Sequence, residues 1–318
     1  MRLPQFTLHQ PATVEDAVAV LAHNPGARLL AGGTDLLVNM KLRVERPETL
    51  VGLGRVTAMR GVTREDGRTV IGGRTTLKDI QNDPFLLERY PALVQAARAV
   101  GSYRHQTMGT LAGNLCQNTR CRFYNQSLEW RSVRSPCYKA GGEDCHVMNK
   151  NGVCYSTYSG DVAPALLALD AQVRLQGPEG TREIPLSGLY SGEGKSPLTL
   201  GPAEVLTAVV LPDSSGNGRS CYLKQSLRGS IDFPIVGAAV ARFAGGVRVA
   251  YTAVDRSPVR AAALETALEG RQLTEDLIEQ AAPLARKAAT ITRTTTQPVP
   301  YKRELMAALF RKAARTLV

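Results

Sequence analysis

Residues 27–37 read ARLLAGGTDLL. A short apolar strand over 27–30 runs straight into two glycines, a threonine and an aspartate. Paired glycines let the backbone approach a ligand closely and take positive φ. The bare N–H groups of such a turn can face an anion, and Thr34 or Asp35 can cap the turn that follows. The pattern is neither G-x-G-x-x-G nor a Walker loop, and on its own it is also what a plain tight turn looks like. Its weight comes from a second crowd of small residues, RHQTMGTLAGN over 104–114. Two such loops in one domain can clamp the two phosphates of a dinucleotide, and the pair says more than either alone.

Elements around the two loops follow local signals. Thr13-Val-Glu-Asp16 reads as a capping-box-like start, followed by Ala17, Val18, Val20 and Leu21 at helical spacing and closed by Pro25-Gly26. Strands are predicted from Val51, over 68–73, 173–175, 182–184 and 205–211, and helices over 77–82, 91–100 and from Val162 through Leu169. Residues 191–197 read as a loop, and SSGNGR at 214–219 as a linker between two domains. Beyond it lie strands at 222–227, 235–243 and 247–254, then helices at 261–268, 274–288 and 300–317. Strands followed by helices predict a small α+β domain.

A chain of 318 residues supports two domains with a sizeable core. The opening MRLPQFTLHQP lacks an apolar targeting core. The longest apolar run, 162–169, is too short to span a bilayer, so a cytoplasmic protein with no membrane contact is expected. The net charge is +11. Its lysines and arginines are spread out; the closest cluster is Lys302, Arg303, Arg311, Lys312 and Arg315 on the terminal helix. Nucleic-acid binding wants a basic stripe beside exposed aromatics. That is not the pattern here, and an acidic protein partner or an anionic ligand fits the charge better.

The segment 112–159 has no clear period, yet it holds five of the six cysteines: Cys116, Cys121, Cys137, Cys145 and Cys154. It also carries Trp130, Phe123, Tyr124, Tyr138, Tyr155 and Tyr158. Long irregular segments are functional or disordered, and this one is too aromatic for disorder. Without a secretory signal, disulfides are unexpected. The distant Cys221 reads as an inert buried thiol. Zinc wants close cysteine pairs, and only Cys116 and Cys121 are close, with His146 as a further ligand. An iron–sulfur cluster needs four converging thiolates and tolerates wide spacing when a loop wraps it. Composition leaves zinc and iron–sulfur open. A basic, aromatic-lined loop beside a dinucleotide clamp favours electron transfer.

The loops 30–37 and 109–114, with the order of elements around them, resemble the flavin-binding subunit of the molybdenum hydroxylases. This is the group that contains xanthine dehydrogenase and carbon monoxide dehydrogenase. The resemblance covers the whole chain. It implies an α+β fold: a two-lobed PCMH-type FAD-binding domain over 1–213, carrying an inserted iron–sulfur loop at about 115–158, and a small α+β C-terminal domain over 219–318. It implies that Leu29, Leu30, Ala31, Gly32, Gly33, Thr34, Asp35 and Leu36 line the FAD pyrophosphate together with Thr110, Leu111, Ala112, Gly113 and Asn114. Val100, Asp161, Leu206 and Lys224 would touch other parts of the flavin nucleotide. Ala112 departs from the family's usual glycine.

The cysteine run is similar more specifically to the β subunit of 4-hydroxybenzoyl-CoA reductase, which carries an extra [4Fe–4S] cluster in such a loop. That resemblance implies Cys121, Cys137, Cys145 and Cys154 as ligands and leaves Cys116 out. It also implies a dimer of heterotrimers, with a molybdenum-cofactor α subunit, a [2Fe–2S] γ subunit and a ferredoxin-like electron donor. No catalytic residue would lie on this chain. The alternative is the flavin subunit of a related aldehyde or heterocycle oxidoreductase working in the oxidative direction.

Overall fold

The computed structural model describes residues 2–244 and 246–318. Its first lobe is built on a small parallel sheet in the order Thr7–His9, Thr49–Gly52, Arg28–Leu30. The helix Val14–His23 covers this sheet, capped by Thr13, whose Oγ1 accepts the Asp16 N–H at 3.1 Å. Its buried Ala17, Val18 and Leu21 pack against Val51, Leu53, Val56 and Met59. The strand Arg28–Leu30 is short because its task ends at residue 30, where it delivers the glycine turn.

The second lobe is an antiparallel sheet in the order Val62–Glu65, Arg68–Gly72, Val205–Leu211, Gln172–Gly177, Gly180–Pro185. Helices Leu77–Asn82, Pro91–Ala99 and Val162–Ala168 contribute to the largest core. Every residue of Val162–Ala168 is buried, as befits a helix apolar all round.

The C-terminal sheet is a meander of Arg219–Gln225, Val236–Phe243, Gly246–Thr252 and Val259–Arg260. Successive side chains leave a strand on opposite faces. Ala239, Ala241 and Ala250 join the large core. Ala238, Val240, Val249 and Tyr251 instead face the helices Ala262–Leu268, Glu275–Ala285 and Val299–Arg315. Burial on both faces is why 235–243 reads as continuously apolar rather than alternating.

One expectation is corrected. The 104–114 stretch is not a loop but two short helices, Tyr103–Met108 and Leu111–Leu115, the second capped by Thr110. The segment 214–219, read as the linker between the two domains, is ordered. Asp213–Asn217 forms a 3-10 turn with Ser215 and Gly216 buried, and Asp213 receives Arg64 at 3.0 Å and Arg89 at 2.9 Å. A Cβ on Gly216 would lie 2.6 Å from Arg89 Nε, so the polar composition there reflects tight packing. The helix Pro84–Arg89, capped by Asp83, was not foreseen. No helix among the described residues is long and apolar enough to cross a membrane.

One core position invites a stability test. Lys302 is 1 % exposed, and its Nζ donates to Ala253 O at 2.8 Å. Burial pulls its pKa from 10.5 down to about 8. The unfolded chain therefore binds the extra proton across that window, so stability rises with pH from about 8 to 10.5 and the full penalty applies below it. At 1.36 kcal/mol per unit the penalty is about 3 kcal/mol. We expect Lys302→Met to raise the melting temperature at pH 7 and to flatten the alkaline rise. Thermal unfolding at pH 7 and pH 10 checks this, and a variant with an undiminished rise would contradict it.

Candidate functional site

The two glycine-rich segments meet. A Cβ built on Gly32 would fall 1.9 Å from Met108 O and 3.1 Å from Gly109 Cα, so the first turn lies backbone to backbone against the second. Gly33 takes a positive φ of 71°, a conformation glycine reaches without strain. The second segment is anchored to the sheet edge. Gly109 O accepts the Leu77 N–H at 2.9 Å, and the N–H groups of Leu111 and Ala112 donate to Thr75 O at 3.0 Å and Gly73 O at 2.9 Å. Thr110 Oγ1 accepts the Gly113 N–H at 3.2 Å. Asn114 Oδ1 accepts the Val162 N–H at 3.1 Å, tying this segment to the buried helix.

Together they wall a cleft of about 660 Å³, within the range of small-molecule and cofactor sites. The structure brings Leu29, Leu30, Ala31, Gly32, Gly33, Thr34, Asp35, Leu36, Val100, Thr110, Ala112, Gly113, Asn114, Asp161 and Leu206 to its wall. Two expected residues are not there. Leu111 points into the large core, fully buried. Lys224 lies behind the wall: its Nζ is 3.2 Å from the Asp161 carboxylate and donates to Ala99 O and Asp232 O at 2.8 Å each. Tyr222 donates to Asp161 Oδ1 at 2.7 Å. Burial pushes the Asp161 carboxyl up to about 6 against the opposing pull of Lys224 and Tyr222.

Sequence reasoning missed several contributions to the cleft, among them residues 195–198 and 200–202. Gln117, Asn118 and Arg120 come from the start of the cysteine segment, and Ile231, Asp232 and Phe233 from the C-terminal domain. The aromatic Phe233, set between Asp232 and Pro234 just ahead of an apolar run, was the available signal; the structure leaves it 42 % exposed.

Beside the cleft, Cys121, Cys137, Cys145 and Cys154 line one small hollow of about 10 Å³. Phe123, Tyr124, Tyr138, Lys139, His146, Val147 and Ser156 complete it. Cys116 does not line it. That thiol packs against the large core and is pushed up to about 12 by burial. All six cysteines are free thiols. Burial raises the Cys121 thiol, partly offset by the N–H groups of Phe123 and Tyr124; the Phe123 N is 3.5 Å from its sulfur. Burial likewise raises Cys154, and Ser156 Oγ lies 3.1 Å from its sulfur and opposes that shift.

Lys139 is a half-buried cation of this hollow. Its Nζ donates to Asn118 Oδ1 at 2.6 Å and Gly194 O at 2.7 Å, and it sits 5.0 Å from the Tyr124 ring centroid. Burial lowers its pKa to about 8. Among the described residues, no group of three or more His, Cys, Asp or Glu is drawn together as a site for a metal ion.

The ends of the segment are pinned. Arg120 and Thr157 exchange backbone hydrogen bonds of 2.7 and 2.8 Å. The Tyr158 hydroxyl lies 3.1 Å from both Asn114 O and Leu115 O.

Residues 4–214 match the family described as the FAD binding domain in molybdopterin dehydrogenase, and 221–317 the CO dehydrogenase flavoprotein C-terminal domain. The chain is 33% identical over 284 residues to the aldehyde oxidoreductase FAD-binding subunit PaoB of Escherichia coli, covering 86% of this chain and 89% of that one. It is 27% identical to the carbon monoxide dehydrogenase medium chain of Hydrogenophaga pseudoflava over 89% of this chain and 86% of that one. A solved carbon monoxide dehydrogenase from Hydrogenophaga pseudoflava superposes with a TM-score of 0.80 at 26% identity, covering 100% of this chain and 98% of that one. The chain therefore belongs to the FAD-binding subunits of the molybdenum hydroxylases, the family of the carbon monoxide dehydrogenase medium chain.

Proposed function

We propose that this chain is the electron-transfer subunit of a molybdenum oxidoreductase of the 4-hydroxybenzoyl-CoA reductase type, with FAD in the cleft and a [4Fe–4S] cluster on Cys121, Cys137, Cys145 and Cys154. One observation carries the reading: four thiols far apart in sequence converge on a single hollow whose first ligand, Cys121, adjoins a residue of the flavin cleft. The donor set suits a multi-iron cluster, which holds its thiolates farther apart than a single ion does and is tuned by hydrogen bonds to sulfur. The Phe123 N–H supplies one such contact.

When bound, the flavin and the cluster supply electron storage and one-electron exchange. The protein holds and insulates them. The segments 29–36 and 110–114 take the pyrophosphate, with Val100, Asp161 and Leu206 at other parts of the nucleotide. Lys224 acts through Asp161, keeping its carboxylate in place. Lys139 sets a positive charge beside the thiolates and offsets part of theirs. The complex would be a dimer of heterotrimers with a molybdenum subunit, where the substrate reacts, and a [2Fe–2S] subunit. A ferredoxin-like donor would feed the cluster for reductive dehydroxylation.

A second reading has a specific observation behind it. The relative at 33% identity is named an aldehyde oxidoreductase subunit, which favours the same cofactors working in the oxidative direction. Anaerobic purification with its partner subunits tests the cofactor assignment. About four iron, four sulfide and one FAD per chain are expected for one cluster on four thiolates, and zinc in place of iron overturns it. Turnover of 4-hydroxybenzoyl-CoA with reduced ferredoxin, set against turnover of aldehydes with an oxidising acceptor, then separates the two readings.

A further inference from the structure

Arg120 belongs to both sites at once. Its backbone pairs with Thr157 in an antiparallel bridge that closes the 121–156 excursion. Neighbouring side chains on extended backbone leave in opposite directions: Cys121 lines the thiol hollow and Arg120 the flavin cleft. In the cleft, Arg120 Nη1 donates to Asp35 Oδ1 at 3.0 Å, and its guanidinium stacks 4.4 Å from the centroid of Phe233. Asp35 lies on the first glycine turn, and its other oxygen accepts Asn39 Nδ2 at 3.0 Å. Phe233 belongs to the C-terminal domain's contribution to the cleft. One side chain thus fastens the first flavin segment to the far wall, and its own position is set by the stem of the cysteine segment.

Beyond that pinned stem, Arg122 N donates to Thr294 O at 3.0 Å and Lys139 Nζ to Gly194 O at 2.7 Å, but regular structure is sparse. Between residues 121 and 156 the regular structure amounts to the five-residue helix Leu128–Ser132, one 3-10 turn and a two-residue ladder. A segment of this kind folds with its metal. Resting on the cluster reading above, we infer that Arg120 is a positioning residue through which occupation of the four-thiol site tightens the flavin cleft. Coupling between two binding sites is reciprocal: filled cleft and filled hollow favour the same placement of residues 120–121.

The test compares FAD dissociation constants, read by flavin fluorescence on the full-length chain with its copurifying subunits. Cys145→Ser removes a ligand 25 positions from Arg120 and so acts on the cleft only through the segment. It is expected to weaken FAD about 10-fold, within the ~5–150-fold range of such couplings. Arg120→Ala should weaken FAD by a similar factor, and Arg120→Lys by less, because the charge facing Asp35 is kept. The double variant should bind FAD no worse than Arg120→Ala alone, the non-additivity of a shared route. Iron loss to a chelator should in turn be faster in Arg120→Ala. Additive effects, or unchanged FAD affinity in an iron-free Cys145→Ser chain that keeps its far-ultraviolet dichroism, overturn the coupling. A wild-type chain without iron overturns the cluster reading instead, so the two failures are told apart.

Discussion

Replacing Gly32 with alanine is expected to strip most of the flavin from the protein. The added methyl group would sit 1.9 Å from Met108 O, and that oxygen is main chain, so no side-chain rotation relieves the clash. Either the first turn or the Tyr103–Met108 helix must withdraw, and both wall the cleft. Overpacking of this kind destabilises by about 1–3 kcal/mol. The effect on the cofactor is larger, because binding depends on both backbones at once: flavin per chain after gel filtration should fall by about tenfold or more, the factor that each 1.4 kcal/mol of lost binding energy carries. Gly54→Ala is the control. A Cβ there meets nothing within 4 Å, and full flavin content is expected. Normal flavin content in Gly32→Ala would mean that the contact between the segments is not the clamp.

Removing one thiol from the hollow should have the second large effect. On the proposed cluster reading, Cys121→Ser and Cys145→Ser are each expected to lose iron and to open residues 121–156 to proteolysis, because a metal-bound segment folds with its metal. Cys116→Ser should keep its iron, since that sulfur packs against the large core instead. Iron analysis and limited proteolysis of the three variants decide the matter. If Cys116→Ser is the variant that loses iron, the ligand set is wrong.

Much of this was legible because its causes are local. The strand Val205–Leu211 starts and stops where its apolar run does. Thr13 caps its helix as its composition says. The paired glycines announce a close backbone approach, and Gly32 makes one. What escaped has tertiary causes. Phe233 reaches the cleft from a domain whose sequence shows no dinucleotide pattern. Leu111 sits inside a run of cleft residues yet turns inward, because a five-residue helix must bury one face. Lys224 touches the cleft only by way of Asp161. At the 214–219 junction, composition does not reveal that Arg89 packs on Gly216. The choice of four thiols from five came from resemblance; spacing did not supply it.

The Arg120–Thr157 bridge carries a consequence for how such a protein comes to be. Chain enters and leaves the cysteine segment at the same point, and the Tyr158 hydroxyl locks the exit against Asn114 and Leu115. A tight turn from 120 to 157 would leave both sheets and the glycine clamp in place. The cost of closing a longer excursion grows only with the logarithm of its length. The segment therefore has the geometry of a cassette: its two ends meet at a single seam, so its length can change there at little cost to the scaffold around it.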